Sequence, residues 1–487
     1  ILRDSTFDKA EKVFGVRLKN IKVMEDGDDT NTFIKLGESL YNPDAPWFIW
    51  KETKDGEKKL ESFQHHILAK EITNRYHIFS HGGSIYTYTD KGFSEAYHNR
   101  MTVKLEQEIA KYYPAIKSRM MDEILETIRR DAYVDAIPNP EPHILCVKNG
   151  RLNVLTGQLT PHTHLAYDTQ QIPTVYDPLA HSDVLDHVFE KIFLEEGVYE
   201  LFEEFLGSCL LKTLRYRGAL YITGEGANGK STLFKLIKGM LGSENVSSLD
   251  PKKMTSCSFE LSELENKLVN LADDVGADTI GEDGIIKKLI TGEPIVTRRI
   301  YGDPYTLISY ATQIFTANKM PHNSDKSYGS KSRMNILPLT AQFKPTDPDY
   351  DPHIEDKLLQ PQVYSALLNK AVIGAQRLDR NGGYTRPKVV LDASKNYEIE
   401  NSYALTWLVS EMMYEEDDLV GLSTSELYVD FRAWCDLNGV RRIPHSNTFA
   451  KDLYSYFTNL TSEAYRMKLD NGKRVSVRKI VKKIETQ

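Results

Sequence analysis

The chain has 487 residues, 40% of them hydrophobic and 27% charged, with a formal net charge of −8, a length that holds about three ordinary domains. No apolar run is long enough to span a membrane, and the acidic balance excludes a uniformly basic nucleic-acid coat while leaving room for a local patch. The four cysteines, Cys146, Cys209, Cys257 and Cys435, form no Cys-x-x-Cys pair, which argues against a zinc ribbon or a disulfide framework and fits a reducing cytoplasm.

The sequence shows no signal peptide and opens on Ile1-Leu2-Arg3 rather than methionine, as a chain would whose upstream residues are missing. Residues 1–97 read as an N-terminal region of unassigned role. Within it Glu25-Asp26-Gly27-Asp28-Asp29 is a solvated loop, since nothing fixes those carboxylates on one face. His65, His66 and His77 have no partners at ligand spacing, and Trp47, Phe48, Ile49 and Trp50 read as core.

Residues 98–206 read as a helical and β-hairpin domain. The pattern is helical and charged from Lys104 to Arg130, and hairpin signals follow at Asn149-Gly150 and Thr156-Gly157. His162 and His164 read as a turn after a strand rather than a metal pair. Residues 183–206 form an acidic amphipathic helical region whose acidic side is expected to face solvent.

Residues 207–392 carry the densest chemistry. Gly224, Glu225, Gly226, Ala227, Asn228, Gly229, Lys230, Ser231 and Thr232 fill the phosphate-loop pattern G-x-x-x-x-G-K-[ST]. A short apolar run, Ala219 to Thr223, precedes it as a buried strand. Leu233, Phe234, Leu236, Ile237, Met240 and Leu241 follow at helical spacing, and Gly242 ends the helix. A strand, a glycine loop and a helix N-terminus aim unpaired amides at one place, which suits a triphosphate. Lys230 is expected at the β and γ phosphates.

A second apolar run, Lys267 to Ala272, delivers Asp273 and Asp274, one carboxylate to hold Mg²⁺ and one to orient the attacking water. Ser231 and Asp273 are the candidate Mg²⁺ ligands, although the sequence does not decide between the two aspartates. A third run, Gln313 to Ala317, ends in Asn318, placed to sense the γ-phosphate. Between these runs, Gly292 to Tyr310 reads as a hairpin turning at Gly302-Asp303-Pro304. It carries Arg298, Arg299 and Tyr301, a set that serves a nucleic-acid backbone and stacked bases, or a plain hairpin with a charged outer face. Arg333 stands before the apolar stretch Met334 to Leu339, where it can serve as an arginine finger or a surface ion pair.

In residues 393–487, Ser423 and Glu426 predict a capping box for a helix through Leu427, Phe431 and Trp434. A second helix runs from Asn447 to Phe457, and two alternating strands meet at Asn471-Gly472. Helices followed by such a wing read as a winged helix. From Val440 onward eleven Lys and Arg face four Asp and Glu, a basic patch that includes Lys473 and Arg474 and suits phosphates.

In this order the motifs resemble the core of superfamily 3 helicases, and more closely the C-terminal half of phage and plasmid primase-helicases, relatives of the poxvirus primase-helicase. That family's pattern upstream of the ATPase is met by Asn149-Gly150, Leu152, Thr156-Gly157, Leu159, Pro161-His162 and Tyr176-Asp177-Pro178-Leu179-Ala180. Its R-x-x-Y hairpin motif falls on Arg298 and Tyr301, its N-x-x-P on Asn318 and Pro321, and its trailing arginine on Arg333. Ser332 and Leu339 depart from it, standing where the family has arginine and phenylalanine. The resemblance runs from about residue 100 to about 460.

It implies an α/β P-loop (AAA+-like) ATPase core with a mixed α+β N-terminal region and a C-terminal winged-helix-type domain. It further implies ATP and Mg²⁺ as cofactors, a homo-hexameric ring on single-stranded and forked DNA, 3′ to 5′ travel, and work in the bacterial host cytoplasm for a phage, plasmid or other mobile element. A primase or origin-binding partner fits the same picture. Primer synthesis by this chain is not expected, because residues 1–100 show neither zinc-ligand cysteines nor a paired-aspartate strand. Two other classes stay open: an origin-binding initiator whose ATPase drives assembly, and a phosphate-loop kinase of small molecules, which has no use for the Arg/Tyr hairpin.

Overall fold

The computed structural model describes residues 40–89, 92–98, 103–135, 137, 141–256, 259–276, 284–300, 302–321, 333–348, 350–468 and 474–483. The expected acidic loop at residues 25–29 lies outside them. The chain divides into two compact units, Ile1–Pro178 and Leu179–Gln487.

In the first unit β1 (Phe48–Glu52) pairs antiparallel with β2 (Lys58–Phe63) and leads into α1 (His65–Arg75). A second antiparallel sheet contains β3 (Phe79–His81), β4 (Ser84–Thr89) and β5 (Gly92–His98). The helical pattern over Lys104 to Arg130 forms as two helices, α2 (Lys104–Tyr112) and α3 (Ser118–Asp131). Pro114 is the cause: it lacks an N–H, and it holds Tyr113 extended at φ −146° and ψ 85°. Leu68, Ile72, Ile109, Ile124 and Ile128 interlock as the core. Trp47 and Phe48 join them as expected, but Ile49 is 41% exposed, because successive strand residues face opposite ways.

The hairpins expected near Gly150 and Gly157 form as β6 (Ile144–Val147), β7 (Gly150–Asn153) and β8 (Gln158–Thr160). Here the Asn149 side chain behaves like a length of strand. It donates to the Tyr176 carbonyl and accepts from the Tyr176 N–H, both at 2.9 Å, which ties together the two halves of the upstream motif. The histidines diverge: His164 stacks on His77 at 3.9 Å, while His162 Nδ1 lies 3.9 Å from Cys146 Sγ.

The second unit opens with α4 (Asp183–Ile192) and α5 (Val198–Ser208), parted at Gly197 with φ 77°. The boundary expected between residues 206 and 207 falls inside α5. The acidic face expected in solvent is also partly buried, with Glu203 5% and Glu204 0% exposed. Partners explain it, since Arg377 Nη2 donates to Glu203 at 2.6 Å and the Thr385 N–H and hydroxyl donate to Glu204 at 2.6 and 2.7 Å.

Five parallel strands form the central sheet: β9 (Ala219–Thr223), β10 (Val246–Ser247), β11 (Val269–Ala272), β14 (Thr312–Ala317) and β15 (Met334–Pro338), in the order β10-β11-β14-β9-β15. All ten residues of the adjacent strands Val269–Ala272 and Thr312–Ala317 are buried, so the strands read as apolar runs broken by a few paired polar groups. Asn270 is one of them. It accepts from Ser247 Oγ and the Leu249 N–H and donates to the Leu249 carbonyl and to Gln313, which pins the register of the sheet edge.

Around the sheet lie α6 (Lys230–Leu241), α7 (Gly284–Thr291), the long α8 (Pro361–Asn381) and α9 (Lys388–Glu400). The antiparallel strands β12 (Ile295–Arg298) and β13 (Pro304–Leu307) stand apart as a separate hairpin. Toward the C-terminus α10 (Thr424–Leu437) and α11 (Ser446–Tyr456) pack with the hairpin β16 (Leu460–Lys468) and β17 (Arg474–Lys482) around Trp407, Phe431, Phe449, Leu460 and Ile480. Ser423 precedes α10 as expected, but its side chain makes no capping bond; the residue is buried and bridges to Lys479 of β17 instead. Among the described residues no helix is long and apolar enough to cross a membrane.

Candidate functional site

In parallel sheets, ligands gather beyond the carboxyl ends of the strands. Here three neighbouring strands end together: β9 at the glycine loop, β11 at Asp273 and Asp274, and β14 at Asn318. The loop folds tightly, with Gly226, Ala227 and Gly229 at φ 23°, 53° and 83°. A Cβ on Gly224 would lie 2.8 Å from the Leu339 carbonyl, so only glycine fits there. Leu233 N–H donates to the Gly229 carbonyl to begin α6, whose first amides point into the loop.

The loop is braced from behind. The buried Asn228 amide donates to the Ala341 carbonyl at 2.8 Å, and the Phe343 N–H donates to Ala227 at 2.9 Å. In front, the Lys230 ammonium donates to the Gly224 carbonyl at 2.5 Å and to Asn228 Oδ1 at 3.1 Å, which keeps the cation over the loop. Glu225 is exposed at the rim, and Ser231 and Thr232 open α6.

The acidic turn meets this loop directly. Ser231 Oγ donates to Asp273 Oδ2 at 3.3 Å, and the Thr316 hydroxyl donates to the other carboxylate oxygen, Oδ1. Asp274 takes the left-handed conformation at φ 52°. Its N–H donates to Thr316 Oγ1 at 2.9 Å, and its carboxylate accepts from Asn318 Nδ2 at 3.2 Å. Lys230, Ser231, Asp273, Asp274 and Asn318 are thereby brought together. The two aspartates, alike in sequence, differ in place, Asp273 beside Ser231 and Asp274 beside Asn318.

The hairpin residues fare differently. Arg298 is exposed at the end of β12, opposite Pro304. Arg299 is engaged, its Nη2 donating to Glu265 at 2.9 Å beside the Tyr305 hydroxyl, which donates to the same oxygen at 2.8 Å. Burial and that carboxylate push the Tyr305 phenol up to about 12, so it stays a neutral donor. Tyr301, Ser332 and Lys473 lie outside the described residues. Arg333 offers its carbonyl to the Ala219 N–H at 2.8 Å at the start of β15, and Arg474 pairs with Lys468 across the C-terminal hairpin.

Residues 38–210 match the family described as D5 N terminal like, and residues 222–333 match a family of unknown function, DUF5906. The chain is 24% identical over 289 residues to the helicase-named protein L207/L206 of Acanthamoeba polyphaga mimivirus, which covers 55% of this chain and 29% of that protein. It is 26% identical over 312 residues to the helicase-named protein 184R of Invertebrate iridescent virus 6, covering 55% of this chain and 32% of that one. The chain is thus similar to helicase-named viral proteins and carries a D5-type N-terminal match. The chain spans about a third of the length of the curated relatives it matches. An apo structure of the NrS-1 C terminal region covers 85% of it at 13% identity with a TM-score of 0.48, too distant a likeness to carry an argument.

The loop and turn fit a magnesium-bound nucleotide. A hydroxyl and a carboxylate side by side, Ser231 and Asp273, are the hard oxygen donors that Mg²⁺ takes. A lysine and a row of helix-start amides suit phosphates. Two features of the constellation had escaped the sequence reading: Thr316, whose hydroxyl sits inside an apolar strand run, and the carbonyls of Leu339 and Ala341, which follow β15 and brace Asn228. The one signal for Thr316 is its place two residues before Asn318 on the same strand.

Proposed function

We propose that this chain is the motor part of an ATP-dependent, ring-forming DNA helicase that replicates a phage, plasmid or other mobile element and travels 3′ to 5′ on single-stranded and forked DNA. The observation that carries the reading is the Ser231–Asp273 bond, which sets an acidic strand end against the glycine loop from 42 residues away. A winged-helix reading of the C-terminal helices and hairpin, and a P-loop reading of the central sheet, belong to the same proposal.

Glycine-loop amides and Lys230 bind and orient the triphosphate. Ser231 and Asp273 hold Mg²⁺, which supplies charge neutralisation on the phosphate oxygens. Asp274, held by Asn318, faces the attacking water and takes its proton, while Asn318 reports the state of the γ-phosphate to β14. Arg333 serves the nucleotide of a neighbouring copy in a ring, a homo-hexamer. Arg298, with Tyr301, contacts the DNA strand; Arg299, tied to Glu265, stiffens the hairpin and adds charge beside it. Lys473 and Arg474 neutralise phosphates on the wing. Primer synthesis is assigned to another chain or another segment.

Strand displacement tests this directly. With ATP and Mg²⁺, the chain is expected to release a labelled strand from a partial duplex with a 3′ tail and not from one with a 5′ tail, and chelation with EDTA abolishes release. Release that favours the 5′ tail contradicts the direction. No release on any tailed or forked duplex contradicts the helicase reading.

A further inference from the structure

The side chain that touches both aspartates of the acidic turn from behind is that of Thr316, which is 0% exposed. Its hydroxyl has one proton and two lone pairs, and the geometry fixes how they are used. The Asp274 N–H can only donate, and it is shared between Thr316 Oγ1 at 2.9 Å and Asp273 Oδ1 at 3.1 Å; Thr316 Oγ1 therefore accepts there, and its own proton goes to Asp273 Oδ1. Its carbonyl meanwhile accepts from the Val275 N–H at 2.8 Å. One residue of β14 thus anchors three consecutive residues of the turn.

Two consequences follow for the carboxylates. With Oδ1 taken by the Thr316 hydroxyl and the Asp274 N–H, Asp273 presents Oδ2 to Ser231 and the loop. Asp274, a non-glycine residue at φ 52°, occupies a backbone region that costs on the order of 1–2 kcal/mol, and the bond to its N–H holds it there, with its side chain at Asn318.

We propose that Thr316 is a positioning residue for ATP hydrolysis, its hydroxyl setting the orientation of both carboxylates while touching neither metal nor nucleotide. This inference rests on the ATPase reading above. Valine has the same branched shape and no hydroxyl, and serine keeps the hydroxyl and loses only the methyl, so the pair separates hydrogen bonding from packing.

The experiment uses the full chain with Mn²⁺ and ADP as probes. It reads Mn²⁺–ADP affinity by electron paramagnetic resonance, steady-state ATP turnover, and folding by circular dichroism. Thr316→Val is expected to weaken Mn²⁺–ADP binding by about tenfold and to lower kcat on the order of 100-fold, with KM for ATP within about threefold. Thr316→Ser is expected to stay within about threefold of the parent in both. If Thr316→Val fails to fold, Thr316→Cys, a weak donor at the same site, is expected to show the same losses. Parent-like metal binding and turnover in Thr316→Val, or in Thr316→Cys where it stands in, overturns the inference, as does a Thr316→Ser that fails equally. A parent chain that neither binds Mn²⁺–ADP nor turns over ATP overturns the proposed function and this inference together; an active parent matched by Thr316→Val overturns this inference alone.

Discussion

Glu204 shows how far a residue's environment can depart from its place in the sequence. Burial raises its carboxyl above the ordinary 4.5, against the Thr385 hydrogen bonds that pull it down. A folded-state value above the unfolded one makes stability greatest where both states are protonated, and stability falls as pH rises from the unfolded value through the folded one. As pH rises above that ordinary glutamate value, the unfolding midpoint of the parent is therefore expected to decline relative to that of Glu204→Gln, which carries no charge; parallel profiles would contradict this. Neither Glu203 nor Glu204 could be read as buried from local pattern, because their partners Arg377 and Thr385 lie 174 and 181 residues away. Asp273, Asp274 and Asn318 were legible for the opposite reason. Each closes an apolar run, and parallel strands put their carboxyl ends side by side.

At the scale of elements, α5 and α8 approach until side chains no longer fit between them. A Cβ on Gly374 would lie 1.9 Å from the Glu203 carbonyl, and one on Gly207 would lie 2.2 Å from Ala375 N. Gly374→Ala is thus expected to destabilise the chain by about 3 kcal/mol or more in denaturant unfolding, the upper range of overpacking costs. An unchanged midpoint would mean that the helices part at little cost. The hairpin β12–β13 supplies a second case. Its Arg299 was read with Arg298 as a DNA contact, yet the ion pair with Glu265 makes it also a strut. Arg298→Ala is expected to weaken single-stranded DNA binding with folding intact, whereas Glu265→Ala, which removes the carboxylate that Arg299 and Tyr305 share, loosens the hairpin; hydrogen exchange over residues 293–308 separates the two effects. The sequence pattern marked the turn at Gly302 correctly but not the strut, since an arginine beside a turn reads the same whether or not a carboxylate reaches it. Likewise Pro114 parts the helical stretch of 104–131 into α2 and α3.

At the scale of the whole molecule, a net charge of −8 coexists with a basic C-terminal stretch, so DNA affinity is expected to fall steeply with salt, and Arg333→Ala to leave nucleotide binding in place while abolishing turnover in the assembled ring. The central claim is that the glycine loop and acidic turn form one ATP-hydrolysing centre driven by DNA at the hairpin. The measurement that tests it most directly is ATP turnover with and without single-stranded DNA in the parent, Lys230→Ala and Arg298→Ala. The account predicts DNA stimulation in the parent, a loss on the order of 100-fold or more in Lys230→Ala, and basal turnover without stimulation in Arg298→Ala. Turnover indifferent to DNA in every active variant would contradict it.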